Sequence, residues 1–275
     1  MDTYFSDYND DIINFNHILI DSPTEKNFEL HTHDICELLL LKKGDISALV
    51  GEKTYKVKKD TLIIFRSNTP HKIIFDSHKP YERYDILFDE NKLANKVFLK
   101  IPKNIDLISY KGNTRIIELF DKLDYYYNSF TGNDLKTLIT NIIEELLFNI
   151  QITPANELED SKLTTNPVIS NAIEYINSHY CEALCLDDIC KTIGTTKSNL
   201  HHLFTENLNI SPKKFINMKR LSKAQKLICL GEKPSNIYKE CGYNDYVTFF
   251  RNYTMHFGYS PSERDKIIIE RKIES

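Results

Sequence analysis

Residues 186–212, LDDICKTIGTTKSNLHHLFTENLNISP, and residues 235–261, SNIYKECGYNDYVTFFRNYTMHFGYSP, follow one plan. Each stretch has a short amphipathic segment, a turn that contains Gly194 or Gly242, a second amphipathic segment and a Ser-Pro pair. Glycine permits the positive φ of a sharp helix exit, and Thr195/Thr196 and Asn244/Asp245 offer oxygens that cap the next helix. The plan predicts two helix-turn-helix units, a motif whose second helix enters the DNA major groove.

The second segment of each unit separates its side chains into two faces. Apolar residues at helical spacing predict the buried face, which comprises Leu200, Leu203, Phe204, Phe249 and Tyr253. The opposite face is free to meet base edges or phosphates. The DNA contacts predicted on that face are Ser198, His201, His202, Thr205, Tyr246, Val247, Phe250 and Arg251.

Arg251 and Phe250 have the clearest chemical use on this face. An arginine reads guanine through two hydrogen bonds, which contribute about 1–3 kcal/mol of discrimination, and an apolar side chain contacts the methyl group of thymine. Arg251 is alternatively an ordinary surface charge, and His201 and His202 alternatively touch only phosphate.

A long amphipathic helix is predicted at 212–230, where it would hold the two units at a fixed separation. Two recognition helices held in this way can read adjacent turns of one groove, about 34 Å apart. From Lys191 to Lys226 the chain carries eight basic residues and one acidic residue, Glu206, although its formal net charge is -4. This cluster suggests a polyanion-binding surface, and a solvated helix face is the alternative.

Two further helices and a linker precede the two units. Apolar residues recur at helical spacing over 116–123 and 135–147. The second stripe is wide, so it predicts either core packing or a dimer seam. Residues 151–166, QITPANELEDSKLTTN, are polar without a period and predict an interdomain linker.

The first 110 residues show short runs of branched and apolar residues at 35–41, 61–65, 71–75 and 83–88, separated by turn signals. Short strands at this spacing predict a sandwich or barrel. The predicted fold class is α+β multidomain, with an N-terminal β-barrel, two helices and a C-terminal all-α domain that contains the two helix-turn-helix units.

Four ligand-type residues fall in this barrel. His31, His33 and Glu37 share one face if the strand is extended, and His71 opens another strand directly after Pro70. Three imidazoles and one carboxylate suit a divalent transition metal, namely Fe, Mn, Ni or Zn. The same four positions alternatively shape a metal-free pocket for a small polar effector such as a sugar.

Composition excludes several classes of protein. The longest clean apolar run, Leu38–Leu41, is far shorter than the ~20 residues of a membrane span. The acidic start MDTYFSDYNDD lacks the parts of a signal peptide. The six cysteines include no CxxC pair, so they indicate neither a disulfide scaffold nor a zinc ribbon. We therefore expect a soluble, cytoplasmic protein without a membrane partner.

The C-terminal part of the chain resembles the AraC/XylS family of bacterial transcription regulators. The resemblance rests on 220–224, RLSKA, which is similar to the family's R-L-x-x-A motif, on Gly242-Tyr243, and on 258–263, GYSPSE, which is similar to its G-x-[ST]-P-x-[ED] signature. The chain departs from the family at Arg264-Asp265, where an aromatic residue and arginine are usual, and at Tyr253, where phenylalanine is usual. These departures concern packing at the end of the domain and leave the reading surface unchanged.

The barrel resembles a second group, the cupins. The spacing His31-x-His33-x3-Glu37 with Pro70-His71 is similar to the first and second cupin motifs, although Asp60-Thr61 stands where the second motif usually has glycine. Similar barrels joined to AraC-type domains are thought to bind effectors without a metal, so the metal-bound and metal-free interpretations both stay open.

The resemblance implies a domain order and a function. Residues 1–110 would form a cupin-like effector-binding barrel, 111–150 the dimerisation helices, 151–166 the linker and 167–275 the DNA-binding domain. The implied protein is a sequence-specific transcription regulator with no catalytic residue and no required cofactor. Its implied partners are double-stranded DNA, a small polar effector, RNA polymerase and a second copy of the chain. The alternatives are a metal-dependent cupin enzyme fused to a DNA-binding domain and an adaptor protein without affinity for DNA.

Overall fold

The structure is a computed structural model that describes most of the chain between Asp2 and Glu263. The described ranges are 2–23, 28, 30–33, 35–51, 53–93, 96–153, 166–208 and 210–263. Most of the predicted linker 151–166 and the dipeptide Arg264-Asp265 lie outside the described residues. Within these ranges, none of the helices combines the length and the apolar character that crossing a bilayer requires.

Two facing antiparallel β-sheets form the N-terminal domain. Their strands are β1 (Thr3–Asn9), β2 (Ile13–Ile20), β3 (Cys36–Lys43), β4 (Ile46–Val50), β5 (Lys53–Val57), β6 (Thr61–Phe65), β7 (His71–Phe75), β8 (Tyr81–Phe88) and β9 (Leu107–Ser109). The larger sheet has the order β1-β2-β8-β3-β6-β9 and the smaller sheet the order β5-β4-β7. The four predicted runs coincide with β3, β6, β7 and β8, which confirms the strand-rich N-terminal half of the predicted fold class.

The larger sheet is buried on both faces. Successive side chains of a strand point to opposite sides, so Leu39 faces the smaller sheet, whereas Leu38 faces helices α1 (Thr114–Ser129) and α2 (Gly132–Gln151). A strand buried in this way is apolar at nearly every position, which explains the unbroken run Leu38–Leu41. The barrel interior lies between the two sheets.

The wide apolar stripe of α2 is buried within the core of the same chain. Its buried members are Leu135, Ile139, Ile142, Ile143, Leu146, Leu147 and Ile150. They belong to the same apolar cluster as α1 and the outer face of the larger sheet. Of the two interpretations of this stripe, the structure therefore supports core packing and gives no support to a dimer seam.

Six helices form the C-terminal domain, called the α domain below. They are α3 (Pro167–His179), α4 (Leu186–Ile193), α5 (Lys197–Leu208), α6 (Pro212–Cys229), α7 (Pro234–Ile237) and α8 (Tyr246–Phe257). The pairs α4–α5 and α7–α8 are the two predicted helix-turn-helix units. The Asn199 amide donates to the Thr196 hydroxyl at 3.2 Å and the Thr248 amide donates to the Asp245 carboxylate at 2.8 Å, so both predicted caps are confirmed.

The first segment of the second unit is shorter than predicted. Only α7 is regular helix, and the chain then closes on itself. The Gly242 amide donates to the Lys239 carbonyl at 2.9 Å, and the Tyr243 amide donates to the Tyr238 carbonyl at 3.0 Å. This paired pattern ends a helix at a glycine of positive φ, which at Gly242 is +85°.

Arg220 of α6 connects the two units. Its Nε donates to the Tyr180 carbonyl at 2.6 Å and its Nη2 donates to the Glu182 carbonyl at 3.0 Å, while the guanidinium lies 5.7 Å from the centre of the Tyr243 ring. Gly242 passes so close that an added Cβ would lie 2.7 Å from both Arg220 Nε and the Tyr180 oxygen. Glycine is therefore required at position 242 for two reasons, namely the close approach of Arg220 and Tyr180 and the positive φ of the backbone.

The α domain also contacts the barrel. Leu49 of β4 is buried in the apolar cluster of α3, α5 and α6, and Leu30 packs against the same cluster. Lys219 of α6 donates through Nζ to the carbonyl of Asn68, in the loop between β6 and β7. The barrel is thus attached to the helix that joins the two helix-turn-helix units.

We expect Gly242→Ala to lower the free energy of unfolding by about 3 kcal/mol. It adds a left-handed backbone penalty of about 1–2 kcal/mol and displaces the Arg220 guanidinium from a charged hydrogen bond that contributes about 1.5–3 kcal/mol. Urea titration of the full chain, followed by far-ultraviolet circular dichroism, measures the loss.

Gly194→Ala is the matched control for this measurement. Gly194 has a φ of +67°, but no atom lies within 4 Å of an added Cβ, so only the backbone penalty should appear. Equal losses in the two variants would contradict the role given to the Arg220 contact.

Candidate functional site

The four predicted ligands converge where β3 and β7 begin. Ligand-type atoms of His31, His33, Glu37 and His71 all lie within 4.8 Å of one another, and we call these residues the histidine cluster. Glu37 and His71 are buried, His33 is half-buried and His31 is exposed, so the cluster opens to solvent on one side. The ring centres of His31 and His71 are 4.2 Å apart.

The sequence predicted that His31, His33 and Glu37 share one extended strand, but the backbone is not one strand over these residues. His31 forms an isolated bridge with His71, a bend occupies Ile35, and β3 begins only at Cys36. The bend is stabilised locally, since His33 Nδ1 lies 2.9 Å from the Ile35 carbonyl. It brings His33 over Glu37, so the convergence holds although the predicted strand was wrong.

Backbone carbonyls fix the proton on two of the imidazole rings. His33 Nδ1 faces the Ile35 carbonyl, and His71 Nδ1 lies 2.8 Å from the Thr69 carbonyl. A carbonyl only accepts, so each Nδ1 carries hydrogen and each ring presents Nε2 to the cluster. The two Nε2 atoms lie 3.0 and 3.1 Å from the same atom, Glu37 Oε2.

Two neighbouring carboxyls in the barrel have opposite pKa shifts. Burial alone would raise the pKa of Glu37, but hydrogen bonds from His33 and His71 outweigh it and hold that pKa well below its usual value. Burial, the charge of Glu37 and a hydrogen bond to it raise the pKa of Asp85 well above its usual value. Glu37 is therefore the more acidic carboxyl of the pair, and Asp85 is the one that holds its proton to higher pH.

Sequence reasoning missed a row of buried polar side chains beside this pair. Asn16 lies opposite Asp85 in the β2–β8 register, and Arg83 and Tyr81 follow at alternate positions of β8. They face the interior, because Asp85 and Arg83 also lie opposite the interior residues Leu39 and Leu41 of β3. Polar residues at positions 83 and 85, within a strand that is otherwise apolar on this face, are the signal that could have revealed the row.

Several atoms of this row have no hydrogen-bonding partner among the described residues. They include both amide atoms of Asn16 and Nε of Arg83. The Arg83 guanidinium lies 5.5 Å from the ring centres of Phe28 and Tyr81. Buried polar atoms are normally paired, so this row is a candidate site for a polar ligand.

The predicted DNA contacts of the first unit lie on the open face of α5. Ser198, His201, His202 and Thr205 are all exposed. The predicted core residues of the same helix, Leu200, Leu203 and Phe204, are buried. The two faces of α5 are therefore as the sequence predicted.

In the second unit, three of the four predicted contacts are open. Val247, Phe250 and Arg251 are exposed on α8, and Val247 is 76% exposed although it is apolar. Tyr246 is half-buried, since its ring packs against Tyr238 and Phe249, so only one edge of the ring is accessible.

The predicted basic surface between Lys191 and Lys226 is smaller than the sequence suggested. Lys219 is buried, Arg220 binds carbonyls within the domain, and Lys223 pairs with Glu240 at 3.1 Å. Their charges serve internal contacts, which charge counting along the sequence does not reveal. The exposed members are Lys191, Lys197, Lys213 and Lys214.

An open groove of about 870 Å³ runs between the two helix-turn-helix units. Lys213, Lys214 and Asn217 of α6 line one side, and Thr248 and Asn252 of α8 line the other. The groove thus places the two exposed ammonium groups of Lys213 and Lys214 between the two helix-turn-helix units.

Two family models match the chain in this order. The AraC-like ligand binding domain matches residues 18–96, and a helix-turn-helix domain matches residues 189–266. The first range contains the whole histidine cluster and the second contains both α5 and α8. The chain belongs to the AraC family of transcription regulators.

Curated relatives of this AraC-family chain are named as operon regulators. The lactose operon transcription activator of Staphylococcus xylosus is 32% identical over 149 residues, 54% of this chain and 53% of that protein. The Msm operon regulatory protein of Streptococcus mutans is 29% identical, over 49% of this chain and 46% of that protein. These two matches span about half the length of each relative.

Other similarities extend over more of the chain. The raffinose operon transcriptional regulatory protein of Pediococcus pentosaceus is 24% identical over 82% of both chains. Among solved structures, ToxT from Vibrio cholerae O395 is 12% identical with a TM-score of 0.40, over 94% of this chain and 98% of that chain.

We expect Asp85→Asn to be tolerated, because asparagine keeps a hydrogen donor where protonated Asp85 has one. The raised pKa of Asp85 means that its contribution to stability is complete below the unfolded-state pKa of about 3.9 and is lost as the pH rises. The stability of Asp85→Asn relative to the unmodified protein should therefore increase as the pH rises above about 3.9, by at most ~1.4 kcal/mol per pH unit. Urea titration at each pH measures this, and a pH-independent difference would contradict the assignment of the proton.

Proposed function

We propose that the chain is a ligand-responsive, sequence-specific transcription regulator whose helices α5 and α8 enter successive segments of the DNA major groove. The observation that supports this most directly is the pair of recognition helices on one chain, each with a buried apolar face and an open polar face. Arg220 and α6 hold them together, so one protomer offers two reading elements at a fixed distance.

In this proposal, both recognition helices contribute exposed side chains that contact DNA. Ser198, His201, His202 and Thr205 contact base edges or phosphates from α5, and Val247, Phe250, Arg251 and the open edge of Tyr246 do so from α8. Lys213 and Lys214, in the groove between the helices, contact phosphates of the intervening backbone.

In the same proposal, the barrel binds a small polar effector. The histidine cluster and the polar row both supply hydrogen-bond donors and acceptors to the barrel interior. Glu37 connects them, because it is hydrogen-bonded to His33 and His71 on one side and to Asp85 on the other. Sugar hydroxyl groups both donate and accept hydrogen bonds, so they match the unpaired amide of Asn16 and the unpaired Nε of Arg83. The names of the lactose and raffinose relatives favour a sugar as the effector.

Further partners belong to the proposal as well. We assign the regulator to the cytoplasm, with RNA polymerase as its downstream partner and a second copy of the chain as its dimer partner. Because the α2 stripe is buried, a dimer contact within 111–150 would use exposed side chains such as Tyr125 and Phe148.

The comparisons favour a regulator over a metal-dependent enzyme that carries a DNA-binding domain. The relatives named above are all called operon regulators or activators. An adaptor without affinity for DNA is separated from a regulator by the DNA-binding measurement that follows.

Arg251→Ala should lose sequence preference more than affinity, because a bidentate guanine contact contributes about 1–3 kcal/mol of discrimination. The double variant Lys213→Ala/Lys214→Ala should instead lose affinity on all sequences and reduce the salt slope by up to about 2. Fluorescence anisotropy of the full chain on DNA from its own upstream region, between about 50 and 200 mM salt, measures both. Lys122→Ala, an exposed lysine of α1, is the control. Absence of salt-dependent binding would favour the adaptor.

Asn16→Leu should abolish the response to sugar without lowering the stability of the sugar-free protein. Leucine has a similar volume, and it removes two buried polar atoms that lack partners. Lactose and raffinose are the probes, and the shift in thermal unfolding temperature with sugar is the measurement. A full shift in Asn16→Leu would show that the polar row does not bind the sugar.

A further inference from the structure

Arg83 of β8 is a buried cation without a full set of partners. The residue is 9% exposed, and its Nη2 contacts Asp85 Oδ2 at 3.4 Å, whereas Nε and Nη1 have no hydrogen-bonding partner among the described residues. A guanidinium keeps its charge in proteins, and a buried charge is normally paired through several hydrogen bonds. The charge of Arg83 therefore calls for a closer anion than Asp85.

We infer that the effector carries an oxyanion, either a carboxylate or a phosphate group, and that Arg83 binds this group inside the barrel. The inference rests on the proposed function, in which the barrel binds a small polar effector, and it specifies the chemical class of that effector. An arginine matches both kinds of oxyanion, because two of its N–H donors form parallel hydrogen bonds with two oxygens.

Two other arginines have the short contacts that Arg83 lacks. Arg66 donates through Nη1 to the Ile105 carbonyl at 2.9 Å and through Nη2 to the Pro102 carbonyl at 2.8 Å. Arg220 donates through Nε and Nη2 to two carbonyls, at 2.6 and 3.0 Å. The backbone thus satisfies both guanidinium groups. The contact of Arg83 at 3.4 Å is longer than the ~2.7–2.9 Å of a charged hydrogen bond.

The other buried carboxylate of the described barrel, Glu37, is already engaged. Its Oε2 lies 3.0 Å from His33 Nε2 and 3.1 Å from His71 Nε2. Among the ion pairs of the described residues, Arg83 pairs with Asp85 alone. The described part of the chain therefore supplies no second anion to Arg83, and a ligand can supply it.

Aromatic rings hold the guanidinium of Arg83 without using its donors. The group lies over the rings of Phe28 and Tyr81, 5.5 Å from each ring centre. The Phe75 ring packs edge to face against both, with centres 4.8 and 5.1 Å away. A ring attracts a cation through its face, so the N–H groups of Arg83 stay available to a ligand. Phe28 and Phe75 are half-buried, so solvent reaches this group of rings.

The polar neighbours of Arg83 suit a sugar that carries an acid group. The Tyr81 hydroxyl lies beside the guanidinium and adds a donor for the oxyanion. The Asn16 amide, on the same interior face, has no hydrogen-bonding partner among the described residues and offers both donors and an acceptor. Hydroxyl groups need both, whereas an oxyanion needs donors only. An acidic sugar would use both kinds of group, and a neutral sugar would leave the charge of Arg83 without its anion.

The first experiment measures the binding of matched sugars to the full chain by isothermal titration calorimetry. Galacturonate and glucuronate carry a carboxylate where galactose and glucose carry a hydroxymethyl group, and the 6-phosphates of the two sugars carry a phosphate at the same carbon. We expect an acid to bind at least about tenfold more tightly than its neutral parent. The carboxylate and phosphate arms decide which oxyanion the effector carries.

Variants at Arg83 test whether this residue is the source of the preference. Arg83→Gln should bind the acid and its neutral parent equally, because glutamine keeps a donor and loses the charge. Arg83→Lys keeps the charge without the parallel donors, so it should retain part of the preference. Arg115→Gln, at an exposed arginine of α1, is the control and should retain all of it. Far-ultraviolet circular dichroism checks that each variant is folded.

The second experiment measures thermal unfolding without any sugar. Arg83→Met removes a charge that lacks partners and keeps an apolar stem, so its unfolding temperature should equal or exceed that of the unmodified protein. Arg66→Met is the matched control, because Arg66 also lies over a ring, 5.9 Å from the centre of Phe98, but donates to two carbonyls. This control should unfold at a temperature lower by about 4 °C or more.

The outcomes of the two experiments separate the claims. Equal affinity for acidic and neutral sugars, a preference that persists in Arg83→Gln, or an equal fall in unfolding temperature in Arg83→Met and Arg66→Met would overturn the role of Arg83 and leave a barrel that binds sugar. Absence of binding by all six sugars would contradict the sugar effector and this inference together. Failure of every form to bind DNA would contradict the proposed function instead, and calorimetry, which needs no DNA, would still decide the role of Arg83.

Discussion

The geometry of the α domain depends on one guanidinium. Arg220 donates to carbonyls that follow α3 and stacks on Tyr243, which follows the turn of the second helix-turn-helix unit. Charged hydrogen bonds to carbonyls are strong and directional, so they fix both position and orientation. Gly242 is the only residue type that fits under this contact. The separation of the two recognition helices is consequently a property of one folded chain and does not require a partner.

Much of this architecture could be predicted from the sequence because its signals are local. The capping residues Thr196 and Asp245 each bond an amide three residues further along the chain. The glycines at helix exits and the apolar spacing of α5 and α8 are likewise signals that short stretches of sequence contain. The histidine cluster was found by a similar local rule, although the bend at Ile35 replaced the expected strand.

The features that sequence reasoning missed depend on distant partners. The polar row is visible only once β2 and β8 are in register, since Asn16 and Asp85 are far apart in sequence. The surface that covers the apolar stripe of α2 is α1 and the outer face of the larger sheet, and this packing is visible only in the folded structure. Lys219 and Arg220 look like neighbouring surface charges, yet one contacts the barrel and the other contacts the α domain itself.

This last pair limits how freely the two domains can be exchanged. A chimera that joins this α domain to the barrel of another protein would leave Lys219 without the backbone carbonyl that solvates it. The recipient barrel must therefore present an equivalent carbonyl at the tip of its β6–β7 loop, or Lys219 must be replaced by an apolar side chain. The modularity suggested by two separate family matches is thus conditional on a single buried ammonium group.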